Sequence, residues 1–274
     1  MTVWINGRLL PDTEATVSVF DHGLVVGDGV FETVKITGGA PFALTRHLDR
    51  LRASAAGLGL DPPGSDQIRA AVSALLTESG QPRQARMRIT VTAGPSALGS
   101  ERSGSPPTVI IALGELTNWG ASCDVVTVPW PRNERSAVAG LKTTSYAENV
   151  LALAYAHDRG GAEAIFGNTV GNLCEGTGTN VFVVTGGRLV TPPLSAGCLA
   201  GVTRALVIEW AGATEEDLPT SALAAADEAF VTGTTRDVQP IRSVNGVALP
   251  AAPGPVTKEV AETFAARSAE LVDP

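Results

Sequence analysis

Cysteine and histidine are scarce in this chain, and their positions exclude several kinds of site. The three cysteines are an odd number and lie far apart, at Cys123, Cys174 and Cys198. A disulfide framework is therefore not expected, and no metal-binding spacing is present. The three histidines stand outside any HExxH arrangement. The sequence predicts neither a metal site nor a fold held together by disulfides.

Several motifs with well-known chemistry are also missing. The sequence has no GxSxG, GxGxxG or Walker pattern, so a hydrolase triad and the common nucleotide-binding loops have no support. No apolar run approaches the length of a membrane span, and the start MTVWINGRLL lacks the apolar core of a secretory signal. We therefore expect a cytoplasmic protein that does not act on a membrane.

Positive charge is in deficit. Lys and Arg together number 20 against 28 Asp and Glu, giving a formal net charge of -8 and a pI near 4.9. Such a chain is a poor candidate for binding nucleic acid through its phosphates. Hydrophobic residues make up 44% of the 274 residues. That is enough apolar material for a sizeable core, in one large domain or two smaller ones.

The pattern of apolar residues and turns predicts strands and helices without a strict βαβ rhythm. Asn6-Gly7 is a strong signal for a hairpin turn. Apolar periodicity predicts strands at 31–37, 86–93, 109–113, 123–128, 164–166, 180–184 and 228–232. Helices are expected from Thr45 and from Ser65, and over 144–159, 201–210 and 257–271. These elements predict an α+β, or mixed α/β, fold in two domains.

Changes in composition indicate where the two domains are divided. Residues 94–107 are rich in Gly, Ser and Pro, which predicts a long surface loop. Residues 114–122 lie between two apolar strands and are the expected linker. We therefore predict an N-terminal domain over 1–113 and a C-terminal domain over 123–274.

Lysine is rare as well, and one of the three lysines stands where it can do chemistry. Lys142 follows an apolar segment and precedes Thr143 and Thr144 at an expected helix start. Partial desolvation there would lower the pKa of its amine and make it a nucleophile toward carbonyls. Local context alone also fits an ordinary loop lysine.

Three more segments fit either a cofactor site or ordinary turns. Glu175 stands among glycines before a strand, where it can cap backbone N–H groups or face the protonated nitrogen of a pyridine ring. Residues 201–203 begin a helix and 232–235 end a strand, and N–H groups and hydroxyls at such places suit a phosphate. Taken singly, each segment is equally a cap or a turn.

Taken together, the segments resemble one family across nearly the whole chain. Six motifs stand in the family's order: GDGVFETVK at 27–35, HLDRL at 47–51, LKTTSYAENVLALAYA at 141–156, EGTGTNVF at 175–182, GVTR at 201–204 and VTGTTRDVQPI at 231–241. They resemble the class IV pyridoxal-phosphate aminotransferases, a group that includes branched-chain and D-amino-acid aminotransferases, (R)-amine transaminases and aminodeoxychorismate lyase. The resemblance implies a small N-terminal α/β domain, a larger barrel-like C-terminal domain and a homodimer.

The resemblance also implies a role for each matching residue. Lys142 would form a Schiff base with pyridoxal 5'-phosphate and move the proton at the substrate carbon. Glu175 would pair with the pyridine nitrogen, and Arg50 would bind the phosphate by charge-assisted hydrogen bonds. Phe31 would line the substrate pocket. Four residues would complete the phosphate site: Gly201, Val202, Thr203 and Thr234.

The match to individual subfamilies is incomplete. Branched-chain enzymes usually carry a tyrosine five residues after the lysine. Here that position is Ala147, and Tyr146 is one residue early, which on a helix rotates the side chain by about 100°; we therefore do not assign Tyr146 that role. The Arg-x-His pair of the D-amino-acid enzymes is absent from 92–104. Arg88 and Arg236 remain as candidates for binding a substrate carboxylate, the alternatives being a strand-edge ion pair and a solvent-facing turn residue.

These observations favour a transaminase that exchanges an amino group between a small-molecule donor and a keto acceptor by ping-pong chemistry. The alternative is aminodeoxychorismate lyase, which would give 4-aminobenzoate and pyruvate. The AENVL segment after the lysine resembles that lyase, although the lyase's glycine- and arginine-rich loop is missing. A third possibility is a cofactor-binding protein without catalysis, against which the joint presence of Lys142, Glu175 and Arg50 argues.

Overall fold

The computed structural model describes residues 1–274, which form two compact units. Unit 1 contains Met1–Thr117, Leu141–Tyr146 and Val272–Pro274, and unit 2 contains Asn118–Gly140 and Ala147–Leu271. This division differs from the predicted boundaries, because the segment that carries Lys142 belongs to unit 1 and not to the C-terminal domain.

Backbone hydrogen bonds explain why this short segment belongs to unit 1. The Phe31 N–H donates to the Lys142 carbonyl at 3.0 Å, and the Thr144 N–H donates to the Gly29 carbonyl at 2.8 Å. The segment therefore lies beside a strand more than a hundred residues earlier in the chain. Local sequence patterns carry no signal for such a pairing.

Unit 1 is a six-stranded sheet with helices on one face. Its elements are β1 (Thr2–Ile5), β2 (Arg8–Pro11), α1 (His22–Val25), β3 (Gly29–Thr37), β4 (Ala40–Pro41), α2 (Leu44–Gly57), α3 (Ser65–Glu78), β5 (Gln84–Thr92) and β6 (Thr108–Gly114). The strand order is β2-β1-β6-β5-β3-β4, and each strand is antiparallel to its neighbours. The predicted hairpin at Asn6-Gly7 is confirmed, with Ile5 opposite Arg8.

Alternation along β3 divides the residues of unit 1 between two faces. Val30, Val34 and Ile36 point into a core that is completed by α2 and α3. Phe31, Thr33 and Lys35 lie on the opposite face. This second face carries the residues next to Lys142.

Unit 2 contains a sheet that closes on itself. Its elements are β7 (Cys123–Thr127), α4 (Ala147–His157), β8 (Glu163–Gly167), β9 (Leu173–Gly176), β10 (Asn180–Thr185), β11 (Arg188–Thr191), α5 (Val202–Ala211), β12 (Thr214–Glu215), β13 (Glu228–Gly233), β14 (Asp237–Val244), β15 (Val247–Ala248) and α6 (Pro255–Glu270), with short 3-10 turns at Leu194–Ala196 and Thr220–Ala222. The ring runs β10-β13-β14-β7-β8-β9, and the pairing of Asn180 with Glu175 closes it. The predicted barrel-like domain is therefore present.

Most predicted elements are confirmed within a few residues, but one helix begins later than expected. The helix predicted over 144–159 covers Ala147–His157, because the Thr144 and Ser145 hydroxyls donate to the Gly27 carbonyl and hold these residues outside it. The predicted loop at 94–107 contains no helix or strand. None of the helices is both long enough and apolar enough to cross a bilayer.

Candidate active site

The Lys142 amine lies beside two aromatic side chains of unit 1. The residue is only 9% exposed, and its Nζ is 3.3 Å from the Tyr146 hydroxyl and 4.4 Å from the centre of the Phe31 ring. The backbone is fixed as well, since the Lys142 N–H donates to the buried Ser54 hydroxyl at 3.1 Å. The Lys142 amine is thus nearly buried against two aromatic rings, with the Tyr146 hydroxyl within hydrogen-bonding distance.

Tyr146 does not lie on a helix, contrary to the prediction from sequence. Helix α4 begins at Ala147, so the assumed rotation between positions 146 and 147 does not apply. The Tyr146 ring instead packs edge-on against Phe31, with ring centres 5.1 Å apart. The position of Tyr146 depends on the pairing of its segment with β3, which includes a bridge between Val30 and Thr143. Local sequence does not predict this pairing.

Arg88 lies over the same aromatic ring. Its guanidinium carbon is 3.6 Å from the centre of Phe31, and its Nε donates to the Thr90 hydroxyl at 3.0 Å. Arg88 stands on β5, which is a central strand between β3 and β6 and not an edge. The structural alternative of a strand-edge ion pair therefore does not apply, and Arg88 and Lys142 both contact Phe31.

Arg50 projects from α2 toward a carboxylate that the sequence argument had not considered. Its Nε and Nη2 each donate to Glu32 at 2.7 Å, and the His47 Nδ1 is 2.7 Å from the same carboxylate. Burial raises the pKa of Glu32, but the charge and hydrogen bonds of Arg50 and the hydrogen bond of His47 outweigh it and lower that pKa to about 2. Glu32 is therefore a buried, ionised group.

In unit 2, Glu175 is held by a backbone N–H and an arginine. One oxygen accepts from the Leu199 N–H at 2.9 Å, and the other is 3.3 Å from the Arg132 Nε. The Arg132 guanidinium stacks on Phe166 and also bonds to Glu148 and Asn149. Sequence reasoning missed Arg132, which lies more than forty residues before Glu175.

Helix α5 has an uncapped start, and strand β13, which packs against α5, carries a buried hydroxyl. Gly201 is the N-cap residue and no side chain caps the helix, so the N–H groups of its first turn, at Val202 and Thr203, have no side-chain partner there. A Cβ at Gly201 would collide with the Asn180 Oδ1. The Thr232 hydroxyl is buried and has no hydrogen-bond partner, and Thr234 is the first residue after β13.

Arg236 occupies a different position from the one the sequence argument considered. Its side chain is 5% exposed and stacks on Trp119, with 3.7 Å between the guanidinium carbon and the ring centre. Its nitrogens donate to Gln239 at 2.6 Å and to the Ala162 carbonyl at 3.2 Å, and one is 3.5 Å from Glu163. It is not a solvent-facing turn residue, and both of its Nη atoms already donate inside unit 2.

Comparisons with known proteins agree with one family over most of the chain. A family model described as amino-transferase class IV matches residues 29–244. The branched-chain-amino-acid aminotransferase of Pseudomonas aeruginosa is 33% identical over 96% of this chain and 91% of its own length. The aminodeoxychorismate lyase of Bacillus subtilis is 31% identical over 89% of this chain and 87% of its own, and proteins named D-alanine aminotransferase match as well.

Solved structures give the same result. The branched-chain aminotransferase of Thermoproteus uzoniensis, solved with norvaline, has a TM-score of 0.91 at 33% identity, over 97% of this chain and 93% of that one. The branched-chain amino acid aminotransferase of Escherichia coli has a TM-score of 0.88 at 28% identity, over 94% and 91% of the two chains. A further branched-chain aminotransferase, complexed with N-(5'-phosphopyridoxyl)-L-glutamate, has a TM-score of 0.89 at 28% identity, over 96% and 92%.

Proposed function

The chain belongs to the class IV aminotransferase family, and we propose that it is a transaminase that moves an amino group between an amino acid or amine and a keto acid. Enzymes of this family depend on pyridoxal phosphate, and the proposal includes that cofactor. The observation that carries it is the Lys142 amine, nearly buried and next to the Tyr146 hydroxyl.

The residues present fit a phosphorylated pyridine. Lys142 provides the amine for covalent attachment, and Glu175 provides an acceptor for the ring nitrogen, oriented by Leu199 and Arg132. The uncapped start of α5 and the unpartnered Thr232 hydroxyl suit a phosphate. We assign the phosphate contacts to the Thr232 hydroxyl and to five further residues named above: Arg50, Gly201, Val202, Thr203 and Thr234.

The chemistry is divided between the cofactor and the lysine. Pyridoxal phosphate supplies an aldehyde that condenses with amines and a ring that withdraws electrons from the substrate carbon. The Lys142 amine would hold the cofactor and would carry the proton to and from that carbon. The Tyr146 hydroxyl, at 3.3 Å from Nζ, orients this amine. The Glu175 carboxylate favours a protonated ring nitrogen.

Substrate binding is assigned to Phe31 and Arg88. The Phe31 ring contacts both the Lys142 amine and the Arg88 guanidinium, so a carboxylate paired with Arg88 would stand close to the amine. Guanidinium binds carboxylate through two parallel hydrogen bonds, which fixes orientation as well as charge. Arg236 is not included, because both of its Nη atoms donate to other groups of unit 2.

The first experiment is a visible absorption spectrum of the purified holoenzyme with one donor at a time: L-glutamate, D-alanine or (R)-1-phenylethylamine. A transaminase loses the absorption of the bound cofactor with its own donor and regains it on addition of a keto acid. The donor that works also gives the stereopreference. If the cofactor binds and no donor changes the spectrum, the transaminase proposal fails.

Aminodeoxychorismate lyase remains the second candidate because a relative of that name covers most of the chain. Its test is direct: incubation with aminodeoxychorismate and measurement of 4-aminobenzoate. Release at high enzyme concentration would support the lyase. Its absence, together with a working amino donor, would leave the transaminase alone.

We also propose that the protein is a homodimer. Two segments of unit 1 carry large apolar residues that are half or more exposed: Val19, Phe20 and Leu24 in one, and Leu98 in the other. The Ser96 N–H donates to the Phe20 carbonyl, so the two segments that carry them are adjacent. Exposed apolar residues grouped in this way mark an interaction surface. Light scattering after size-exclusion chromatography should give twice the chain mass of 28.1 kDa.

A further inference from the structure

Glu32 is a carboxylate on the core side of a strand. It lies in β3 between Val30 and Val34, which point into the hydrophobic core under α2. The residue is 0% exposed. An ionised carboxylate in such a place is costly unless it is paired and hydrogen-bonded. An apolar residue at this position would pack better between β3 and α2. Packing alone therefore does not explain the charged side chain of Glu32.

The hydrogen bonds of this carboxylate go to two residues of α2. Its Oε1 accepts from the Arg50 Nε, and its Oε2 accepts from the Arg50 Nη2, both at 2.7 Å. The same Oε2 is 2.7 Å from the His47 Nδ1. His47 and Arg50 are three residues apart and so share one face of the helix. Glu32 thus accepts two hydrogen bonds from Arg50 and lies within hydrogen-bonding distance of His47.

The two hydrogen bonds from Arg50 to Glu32 fix the orientation of the guanidinium. A guanidinium is planar and presents its donors as a rigid fork. With the Nε and Nη2 edge bound to Glu32, the edge that carries Nη1 must point away from that carboxylate. Burial lowers the pKa of His47 even though Glu32 raises it, so a neutral His47 donates its Nδ1–H without adding a second positive charge.

We propose that Glu32, assisted by His47, is a positioning residue that orients Arg50 toward the phosphate of the cofactor. This inference rests on the proposed function, since it assumes that pyridoxal phosphate is bound. Glu32 does not touch the cofactor in this scheme. It acts through Arg50, by holding one edge of the guanidinium and so setting the direction of the other.

The test compares two ligands that differ only in the phosphate. Apoenzyme is titrated with pyridoxal 5'-phosphate and, separately, with pyridoxal. In Glu32→Gln one oxygen becomes an NH2 group, which cannot accept from Arg50 or His47, so the pair of hydrogen bonds that orients the guanidinium is lost. We expect the affinity for pyridoxal phosphate to fall roughly 10- to 100-fold, as for loss of a hydrogen bond to a charged group. The affinity for pyridoxal should stay within about twofold.

Val34→Ala is the matched control, because Val34 is the next residue on the same face of β3 and is also fully buried. It should lower the melting temperature by loosening the same strand–helix contact, and it should leave the ratio of the two affinities unchanged. Combining Glu32→Gln with Arg50→Lys should cost no more affinity for pyridoxal phosphate than Arg50→Lys alone, since Glu32 acts only through Arg50.

The outcomes separate this inference from the function on which it rests. Equal weakening of both ligands by Glu32→Gln, or a changed ratio in Val34→Ala, would overturn the positioning role. If wild-type protein fails to bind pyridoxal phosphate at all, the proposed function itself fails. Should Glu32→Gln not fold, Glu32→Asp keeps the charge and shortens the reach. The inference then requires a selective loss of affinity for pyridoxal phosphate in that variant.

Discussion

The N-termini of helices α2 and α5 satisfy their backbone N–H groups in different ways. At α2, the Asp273 carboxylate accepts from the Thr45 N–H at 2.8 Å and from the Thr45 hydroxyl at 2.5 Å. At α5, the N-cap residue is Gly201 and no side chain caps the N–H groups of the first turn. Both helices have four N–H groups at their start without an intrahelical acceptor, yet only one of the two has recruited a carboxylate.

The difference shows which helix start is suited to an external anion. A capping carboxylate occupies the N–H groups and adds negative charge, whereas an uncapped start keeps its partial positive charge for a ligand. The buried Thr232 hydroxyl has no hydrogen-bond partner and is therefore a second group of unit 2 that is suited to an external anion. Under the proposed function, helix α2 contributes by another route, through the charged side chain of Arg50, whereas α5 contributes backbone donors.

The largest effect is expected from Lys142→Ala, which separates covalent from noncovalent binding of the cofactor. Transamination should fall by about 10²- to 10⁴-fold, since the variant loses the amine that carries the proton. Pyridoxal phosphate should still bind, because the α5 start and Arg50 remain. Titration of apoenzyme measures this residual affinity, with Lys258→Ala on the exposed face of α6 as the control. Retention of substantial activity in Lys142→Ala would refute its catalytic role.

Gly201→Asp would make the α5 start resemble that of α2. A carboxylate at the N-cap would take the first-turn N–H groups and repel the phosphate. Because any Cβ at this position also collides with Asn180, Gly201→Ala is the steric control. We expect Gly201→Asp to bind pyridoxal phosphate about tenfold more weakly than Gly201→Ala. Equal affinities in the two variants would mean that the α5 start does not hold the phosphate.

Thr232→Val replaces the unpartnered hydroxyl by a group of the same shape. Removing a buried polar group that lacks a partner should leave the apoenzyme equally stable or raise its free energy of unfolding by about 1 kcal/mol. The affinity for pyridoxal phosphate should fall about two- to tenfold with the loss of one hydrogen bond. Thermal melts of the apoenzyme and a cofactor titration measure the two quantities. A variant that loses stability but keeps its affinity would place the hydroxyl outside the phosphate site.

The sequence was enough to predict the elements that depend on local pattern. Apolar periodicity predicted β3, α2, α3 and most of unit 2, because it reports the face that each element buries. It also placed Thr144–Tyr146 in a helix, and here it was wrong. Hydrogen bonds from Thr144 and Ser145 to Gly27, across more than a hundred residues, determine where α4 begins.

The same limit applies to the candidate site. Lys142 and Glu175 stand in recognisable motifs, so the resemblance named them, and their roles remain predictions. Tyr146 was set aside on a helix assumption that the structure removes. Arg132 and Glu32 went unnoticed because each acts on a residue distant in the chain, at 3.3 Å from Glu175 and 2.7 Å from Arg50. Pairings of this kind are created by the fold and leave no local spacing to read.

The smallest effect is expected at the capped helix start, from Asp273→Ala. The carboxylate is about one-third exposed, so its loss should cost about 0.5–1 kcal/mol, at the lower end for a helix cap. The melting temperature should fall by about 1–4 °C. Asp273→Asn keeps an acceptor for the Thr45 N–H and should lose less.

Affinity for pyridoxal phosphate gives the decisive contrast between the two helix starts. Arg50 lies more than one turn beyond Thr45, and the influence of a cap falls off within the first turn. Asp273→Ala should therefore change the affinity by less than about twofold while lowering stability, the reverse of what Thr232→Val is expected to do. If Asp273→Ala weakened the cofactor as much as Thr232→Val, the capped start of α2 would have to act on the phosphate as well. The division between a capped structural start and an uncapped binding start would then be untenable.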